Sequence, residues 1–260
     1  MTLARLRGVP VFVYHRIVAA TECTGALGRF DVRESEFHAQ MQIIRDLGIS
    51  VVAPLDIALA QAPAVSVSLT FDDGFSSAYQ IALPLLSELG LNATFFLTTS
   101  NIGKRGFLEW EMAAEMSRAG MRFGAHANTH VVLTTLNHQR LRDELRLSRQ
   151  MLEDRLSCIV DELAVPYGFW NHNVLAEAWE SGYRVVCTAK PWPAQKGERL
   201  VTRTAVFEHT SLSEFHKLLN NNPAEYLRRW ARERGLAIPK LVLLRLCPNL
   251  LGVRVSKDRQ

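Results

Sequence analysis

The sequence predicts a single α/β domain in which parallel strands close into a barrel surrounded by helices. Apolar strand-like runs and amphipathic helix-like segments alternate along most of the chain, which is typical of βα units and a parallel sheet. About seven such units fit within the 260 residues, the length that one α/β barrel uses. In barrels of this kind the chemistry gathers at the carboxyl ends of the strands, so the residues that follow each strand are the candidates for function.

The predicted elements follow one another in a regular order. Strands are predicted at residues 9–14, 49–53, 65–71, 93–99, 121–126, 161–168, 183–188 and 199–207. Helices are predicted at residues 35–48, 55–60, 78–90, 109–120, 137–156 and 173–182, with a last one from residue 211. Ser35 is the expected N-cap of the first helix and Gly48 its end. Residues 19–32 have no clear period and predict a long loop, which in a compact domain is more often functional than not.

The positive charge of the chain is concentrated near its C-terminus. The formal net charge is +4, and nine Arg or Lys residues stand against three acidic residues from Ala224 onward. We therefore divide the chain into a barrel at residues 1–220 and a basic extension at residues 221–260. A solvated basic face is one interpretation of this extension, and peripheral contact with an anionic membrane surface is the other.

The sequence favours a cytoplasmic protein. Its apolar stretches are shorter than the ~20 residues of a membrane span. The first residues are basic but are followed by Tyr14, His15 and Arg16 rather than by a small-residue cleavage site. We expect no nucleic-acid partner.

Acidic and histidine residues at the ends of two predicted strands are candidate metal ligands. Asp72 and Asp73 end the strand at residues 65–71, although Asp-Asp-Gly is also ordinary turn chemistry. His126 ends a later strand, and His130 lies four residues beyond it. Asp73, His126 and His130 would supply one carboxylate oxygen and two imidazole nitrogens, which suits a divalent metal that keeps positions open for water and substrate. For the two histidines alone, a structural role is the alternative.

The same residues resemble the motifs of the polysaccharide deacetylase family of carbohydrate esterases. The resemblance covers residues 9–219. Within the family, the sequence resembles the branch that has an N-terminal Tyr-His motif. The motifs that carry it are Tyr14-His15-Arg16-Ile17, Thr70-Phe71-Asp72-Asp73-Gly74, His126 to His130, and Pro166-Tyr167-Gly168. It implies a deformed (β/α)7-type barrel that hydrolyses N-acetyl groups of amino sugars.

The resemblance also implies a role for each matching residue. Asp72 would be the general base, and Asp73, His126 and His130 would hold a divalent metal, most often zinc in the family. The backbone amide of Tyr167 would help to bind the oxyanion of the tetrahedral intermediate.

The acid that protonates the leaving amine is harder to place. The late Leu-x-x-His segment that is usual in the family is missing here. The resemblance to the branch with the Tyr-His motif points to His15 as the catalytic acid, and a structural His15 is the alternative.

Two positions depart from the family pattern. Ala127 stands where Ser or Thr usually follows the first histidine, and Ala164 stands where an arginine usually orients the base. We hypothesise that Arg203 reaches the site in place of that arginine, with a surface position as the alternative.

The leading functional hypothesis is metal-dependent removal of an N-acetyl group from an amino sugar. The expected substrate is a cytoplasmic nucleotide-linked or lipid-linked precursor of a surface polysaccharide. One alternative is an inactive sugar-binding or assembly protein on the same scaffold. A hydrolase of another amide, such as a formyl group or a cyclic amide, is the other.

Overall fold

The computed structural model describes residues 5–19 and 27–232. The strands are β1 (Val11–Tyr14), β2 (Arg16–Val18), β3 (Asp31–Arg33), β4 (Ser50–Val51), β5 (Ser66–Phe71), β6 (Thr94–Leu97), β7 (Arg122–Ala125), β8 (Glu162–Ala164), β9 (Val185–Cys187), β10 (Leu200–Val201) and β11 (Thr204–Ala205). The α-helices are α1 (Glu34–Asp46), α2 (Pro54–Ala58), α3 (Leu83–Leu89), α4 (Trp110–Arg118), α5 (His138–Leu156), α6 (His172–Glu180) and α7 (Leu212–Leu219), with a further helix at residues 223–232.

The main sheet is parallel and curls until its two edges approach each other. Its strand order is β10-β9-β8-β7-β6-β5-β1-β11, with β4 also paired to β5. Strands β10 and β11 lie at opposite ends of this order, yet only Thr202 and Arg203 separate them in the chain. A two-residue link spans only about 10 Å between its flanking residues, so the two edges must be close together. The predicted deformed (β/α)7-type barrel in a single domain is confirmed.

Side chains along each strand alternate between the two faces of the sheet, and this produces two apolar layers. Phe95 belongs to the large cluster between the sheet and the helices, whereas its neighbour Phe96 packs with Val11 and Val185 in a second cluster on the other face. The inner face has little free space, because a Cβ atom added at Gly124 would lie 2.5 Å from the Phe96 ring. Buried side chains therefore fill the interior of the barrel around Phe96.

Several local predictions need correction. The predicted strand at residues 199–207 is broken, and its two halves join opposite edges of the sheet. The predicted loop at residues 19–32 ends in β3, which pairs in parallel with β2, while residues 20–26 lie outside the described residues. The N-cap of α1 is Arg33 in extended conformation, so the prediction of Ser35 was wrong.

The described part of the C-terminal extension packs on the barrel. The Tyr226 ring is buried and stacks on Trp192 with ring centroids 6.1 Å apart. Arg229 is also buried, and its Nη2 atom lies 2.7 Å from Oε1 of Glu214. The charge of Arg229 is therefore used within the fold. The rest of the predicted basic extension, from residue 233, lies outside the described residues. Among the helices that the structure describes, none combines the length and the apolarity that crossing a membrane requires.

Candidate active site

The candidate functional residues converge at one end of the barrel because each follows a parallel strand. His15 follows β1, Asp72 and Asp73 follow β5, and His126 follows β7. Tyr167 lies in a short 3₁₀ turn after β8. These strands run in the same direction, so their carboxyl ends share one rim of the sheet, as the sequence predicted.

Asp73 and His126, together with His130, form a compact cluster with the composition of a metal site. Oδ1 of Asp73 lies 3.1 Å from Nε2 of His130 and 3.5 Å from Nε2 of His126. The three candidate ligand atoms all lie within 4.8 Å of one another. Asp73 Oδ1 is buried, and among the described residues it has no hydrogen bond of acceptable geometry. One carboxylate and two imidazoles that converge in this way fit a divalent cation.

The other ring nitrogens of both histidines are occupied by neighbouring groups. His126 Nδ1 lies 2.7 Å from the carbonyl oxygen of Ala164, and His130 Nδ1 lies 3.1 Å from the Tyr167 hydroxyl. These contacts orient both Nε2 atoms toward the centre of the cluster. Burial lowers the pKa of His126 to about 4, so its ring is neutral at neutral pH, which is the form that binds metals.

Asp72 makes a buried, bidentate ion pair with Arg203. Nη1 and Nη2 of Arg203 lie 2.7 and 2.8 Å from the two carboxylate oxygens of Asp72. Burial raises the pKa of Asp72, but the charge and hydrogen bonds of Arg203 oppose this, and the net pKa is below its ordinary value. Asp72 is therefore ionised at neutral pH and is available as a proton acceptor. Its Oδ2 atom lies 3.8 Å from Nε2 of His126, which places it directly beside the metal-type cluster.

Arg203 reaches this position because it lies in the link between the two sheet edges. Its Nε atom donates to the Thr188 carbonyl oxygen at 3.3 Å, and its guanidinium lies 5.1 Å from the centroid of the Phe96 ring. The hypothesis that Arg203 reaches the site from the region of β10 and β11 is confirmed. Ala164, where the family usually has the arginine, contributes its backbone carbonyl to His126 instead.

The site also concentrates left-handed backbone conformations. Seven described residues other than glycine have a positive φ, and four of them belong to the site: Asp73, Ala127, His130 and Tyr167. Such conformations are unfavourable by roughly 1 kcal/mol or more per residue, and they persist only where surrounding contacts hold them. The contacts that hold these loops are therefore part of the site.

Glu144 on α5 holds the loop between the two histidines, and sequence analysis did not identify it. Its Oε2 atom accepts the backbone N–H groups of Asn128 at 2.9 Å and Thr129 at 2.8 Å. Its Oε1 atom accepts the Thr129 hydroxyl at 2.5 Å. Ala127 offers no hydroxyl to this loop, so Glu144 is a principal support for the position of His130.

We expect Glu144→Gln to weaken metal binding about 10- to 100-fold, as loss of a supporting contact behind a ligand typically does. The amide of glutamine is uncharged and accepts through only one oxygen. The two backbone N–H groups therefore lose a charged acceptor, and the Thr129 hydroxyl can no longer donate to the other atom of the side chain. Titration with a chromophoric competitor measures the affinity. Glu88→Gln, at an exposed position on α3, is the matched control, and equal affinities for the two variants would contradict the positioning role.

His15 lies at the same rim of the sheet, at the end of β1. Its ring is partly buried, and its Nδ1 atom has no hydrogen-bond partner among the described residues. After the larger effects of burial and of other partners, a positive charge at His15 also lowers the pKa of both Asp72 and Asp73. The structure thus brings His15 within electrostatic range of the site, and its role as the acid stays a prediction.

The curled parallel barrel and the cluster at its rim define the class of protein as an α/β barrel with a candidate mononuclear metal site. Residues 60–186 match the family model described as polysaccharide deacetylase. The resemblance to the polysaccharide deacetylase family that the motifs indicate is thereby confirmed over these residues.

Individual relatives agree with this assignment. The chain is 27% identical over 195 residues to YxkH of Bacillus subtilis (strain 168), an alignment that covers 73% of this chain and 67% of that protein. It is 28% identical over 142 residues to a chitooligosaccharide deacetylase of Bradyrhizobium sp. (strain ANU 289), covering 53% of this chain and 63% of the relative. The fold is similar to that of the Streptococcus pyogenes deacetylase PplD, solved in complex with acetate, with a TM-score of 0.75 at 24% identity over 84% of this chain and 99% of that chain.

Proposed function

We propose that this protein is a metal-dependent deacetylase that hydrolyses the N-acetyl group of an amino sugar. The observation that carries the proposal is the cluster of Asp73, His126 and His130 directly beside the ion-paired carboxylate of Asp72. A site that only bound sugar would gain nothing from a buried base next to convergent ligand atoms. The intact Asp72–Arg203 pair therefore argues against the inactive scaffold.

The chain's own residues can divide the reaction between them. A divalent cation held by Asp73, His126 and His130, for which we expect zinc, would act as a Lewis acid toward the acetamide carbonyl. Asp72, kept ionised by Arg203, would accept the proton of the attacking water. The backbone amide of Tyr167 would donate to the developing oxyanion, an interaction that is stronger in the transition state than in the substrate.

The reaction also needs a proton for the leaving amine. His15 is the candidate donor, because it lies at the same rim at the end of β1 and, among the described residues, its buried Nδ1 has no hydrogen-bond partner. The C–N bond then breaks, acetate forms, and the sugar leaves as a free amine.

The nature of the substrate is part of the proposal. We infer a nucleotide-linked or lipid-linked amino sugar, handled in the cytoplasm, with the basic C-terminal extension in contact with phosphate groups or an anionic membrane surface. Cell fractionation tests the location, and vesicle co-sedimentation with and without residues 233–260 tests the membrane contact.

The proposal is tested by measuring acetate and free amine released from a panel of N-acetyl amino sugars. The panel contains neutral oligosaccharides and nucleotide-linked and lipid-linked sugars, and the protein is loaded with one equivalent of metal. We expect equal amounts of acetate and amine, with no release by Asp72→Asn or after chelation. Absence of acetate from every substrate of the metal-loaded protein would overturn the proposal, and formate release from formylated analogues would favour another amide.

A further inference from the structure

An aromatic and cationic surface lies directly beside His15. The Phe30 ring is 4.6 Å from the His15 imidazole and 5.4 Å from the Phe207 ring, measured between centroids. The guanidinium of Arg29 lies 4.7 Å from the Phe207 ring and 5.5 Å from the Phe30 ring. Phe207 is buried, but Phe30 retains 36% exposure, so part of its ring faces solvent. We call Arg29 and Phe30 together the platform.

Among the described residues, no carboxylate compensates the charge of Arg29. Neighbouring arginines have one: Arg16 pairs with Asp31, and Arg33 lies 3.7 Å from Glu208. Arg29 is exposed, and among the described residues it makes no ion pair. Stacking on two aromatic rings fixes a guanidinium while leaving its N–H groups free to bind an anion. The platform thus offers an ordered, positively charged donor next to the site.

The chemistry of deacetylation places the sugar on this side, an argument that rests on the proposed function. The nitrogen that leaves in the reaction carries the sugar, and His15 is the group expected to protonate that nitrogen. The sugar ring must therefore extend past His15, and the partly exposed ring of Phe30 lies against the His15 imidazole. The apolar C–H face of a sugar packs well on an aromatic ring, which is large, rigid and apolar.

We propose that the platform is the substrate subsite for an anionic amino sugar. Phe30 contacts the ring that carries the acetamido group, and Arg29 binds a phosphate or carboxylate on the same substrate. Arginine suits this task because its planar fork of donors matches both anions. Arg232 extends the positive surface. Its Nη1 atom lies 3.3 Å from Nε2 of His209, whose ring stacks on Phe207 with centroids 5.5 Å apart.

The test compares two acetamido sugars that differ in charge, a neutral N-acetylglucosamine oligosaccharide and N-acetylglucosamine 1-phosphate. We expect Arg29→Gln to lower kcat/KM for the phosphorylated sugar about tenfold, mostly through KM, with a change of less than about twofold for the neutral one. Arg29→Lys keeps the charge and should recover part of the loss. Arg118→Gln, an equal charge change at the exposed end of α4, should change neither value.

A third arm separates failure of this inference from failure of the proposed function. Calorimetry measures the binding of glucosamine 1-phosphate, the deacetylated product, and does not depend on turnover. If acetate is released from both sugars and Arg29→Gln affects both equally or neither, the subsite is wrong and the deacetylase stands. If neither sugar releases acetate, the deacetylase is overturned, and binding that is unchanged in Arg29→Gln then overturns the subsite as well. A uronic acid analogue in the same assay shows whether a carboxylate replaces the phosphate.

Discussion

Replacement of Arg203 by glutamine should lower kcat at least about 100-fold at neutral pH, the lower end of what a positioned general base contributes. Both guanidinium N–H groups that hold the Asp72 carboxylate are lost in this variant. The base then loses its orientation and the charge that keeps it ionised. Acetate release as a function of pH measures the effect.

The direction of the pH effect follows from the two opposing influences on Asp72. Burial raises its pKa, and Arg203 is the largest of the influences that together outweigh the burial. Without Arg203 the burial remains, so the pKa rises and the acidic limb of the pH–rate profile moves to higher pH. Arg203→Lys keeps a charge but not the bidentate geometry, so its acidic limb should stay closer to that of the wild type while kcat falls.

The free energy of unfolding gives an independent measure of the ion pair between Asp72 and Arg203. A carboxyl group whose pKa is lower in the folded state than in the unfolded state stabilises the fold at pH values above its unfolded-state pKa of about 4. This stabilisation is lost as the pH falls through the folded-state pKa. Breaking a buried ion pair typically lowers the free energy of unfolding by about 3–5 kcal/mol. Arg203→Gln should therefore lose most stability at neutral pH and less in acid, where Asp72 can take up a proton. Unchanged turnover with an unmoved acidic limb would rule out Arg203 as the residue that positions the base.

Strand-end residues were the predictable part of the site. Asp72, Asp73 and His126 each follow an apolar run, and a parallel sheet brings the ends of such runs to one rim whatever the details of the loops. The fold class followed from the same alternation. Tertiary information was needed only to show which of the rim residues touch one another.

Arg203 marks the limit of that reasoning. Residues 199–207 look like one strand because apolar and β-branched residues surround Arg203 on both sides. Which edge of a sheet a strand joins depends on pairings that are distant in sequence, and the break at Thr202 and Arg203 exists because the chain passes from one edge to the other. The sequence could offer Arg203 only as a hypothesis.

Glu144 and the platform escaped prediction for a different reason. Glu144 is one of several charged residues on an amphipathic helix, where a carboxylate normally faces solvent. Its task appears only when α5 packs beside the loop that carries Asn128 and Thr129. Arg29 and Phe30 lie in a segment without periodicity, so nothing in the local pattern indicated that Phe30 would lie against His15.

Asp73→Asn should abolish stoichiometric metal binding, with affinity reduced by more than about 100-fold, since loss of a ligand exceeds the effect of losing a supporting contact. Asparagine has nearly the same shape, but it lacks the negative charge that faces the two Nε2 atoms at 3.1 and 3.5 Å. Metal analysis of the purified protein measures the content. The rise in Tm on adding metal, which reports binding to the folded state, should disappear in the variant.

Asp72→Asn provides the sharpest comparison, because it makes the same chemical change one residue away. It removes the proton acceptor and leaves the three convergent ligand atoms in place, so it should retain metal while losing turnover. Asp73→Asn should lose both, and Asp143→Asn, at an exposed position on α5, should lose neither. Metal retained by Asp73→Asn would contradict the ligand assignment. Metal lost from Asp72→Asn would instead show that the two adjacent carboxylates act as one binding unit rather than as a base and a ligand.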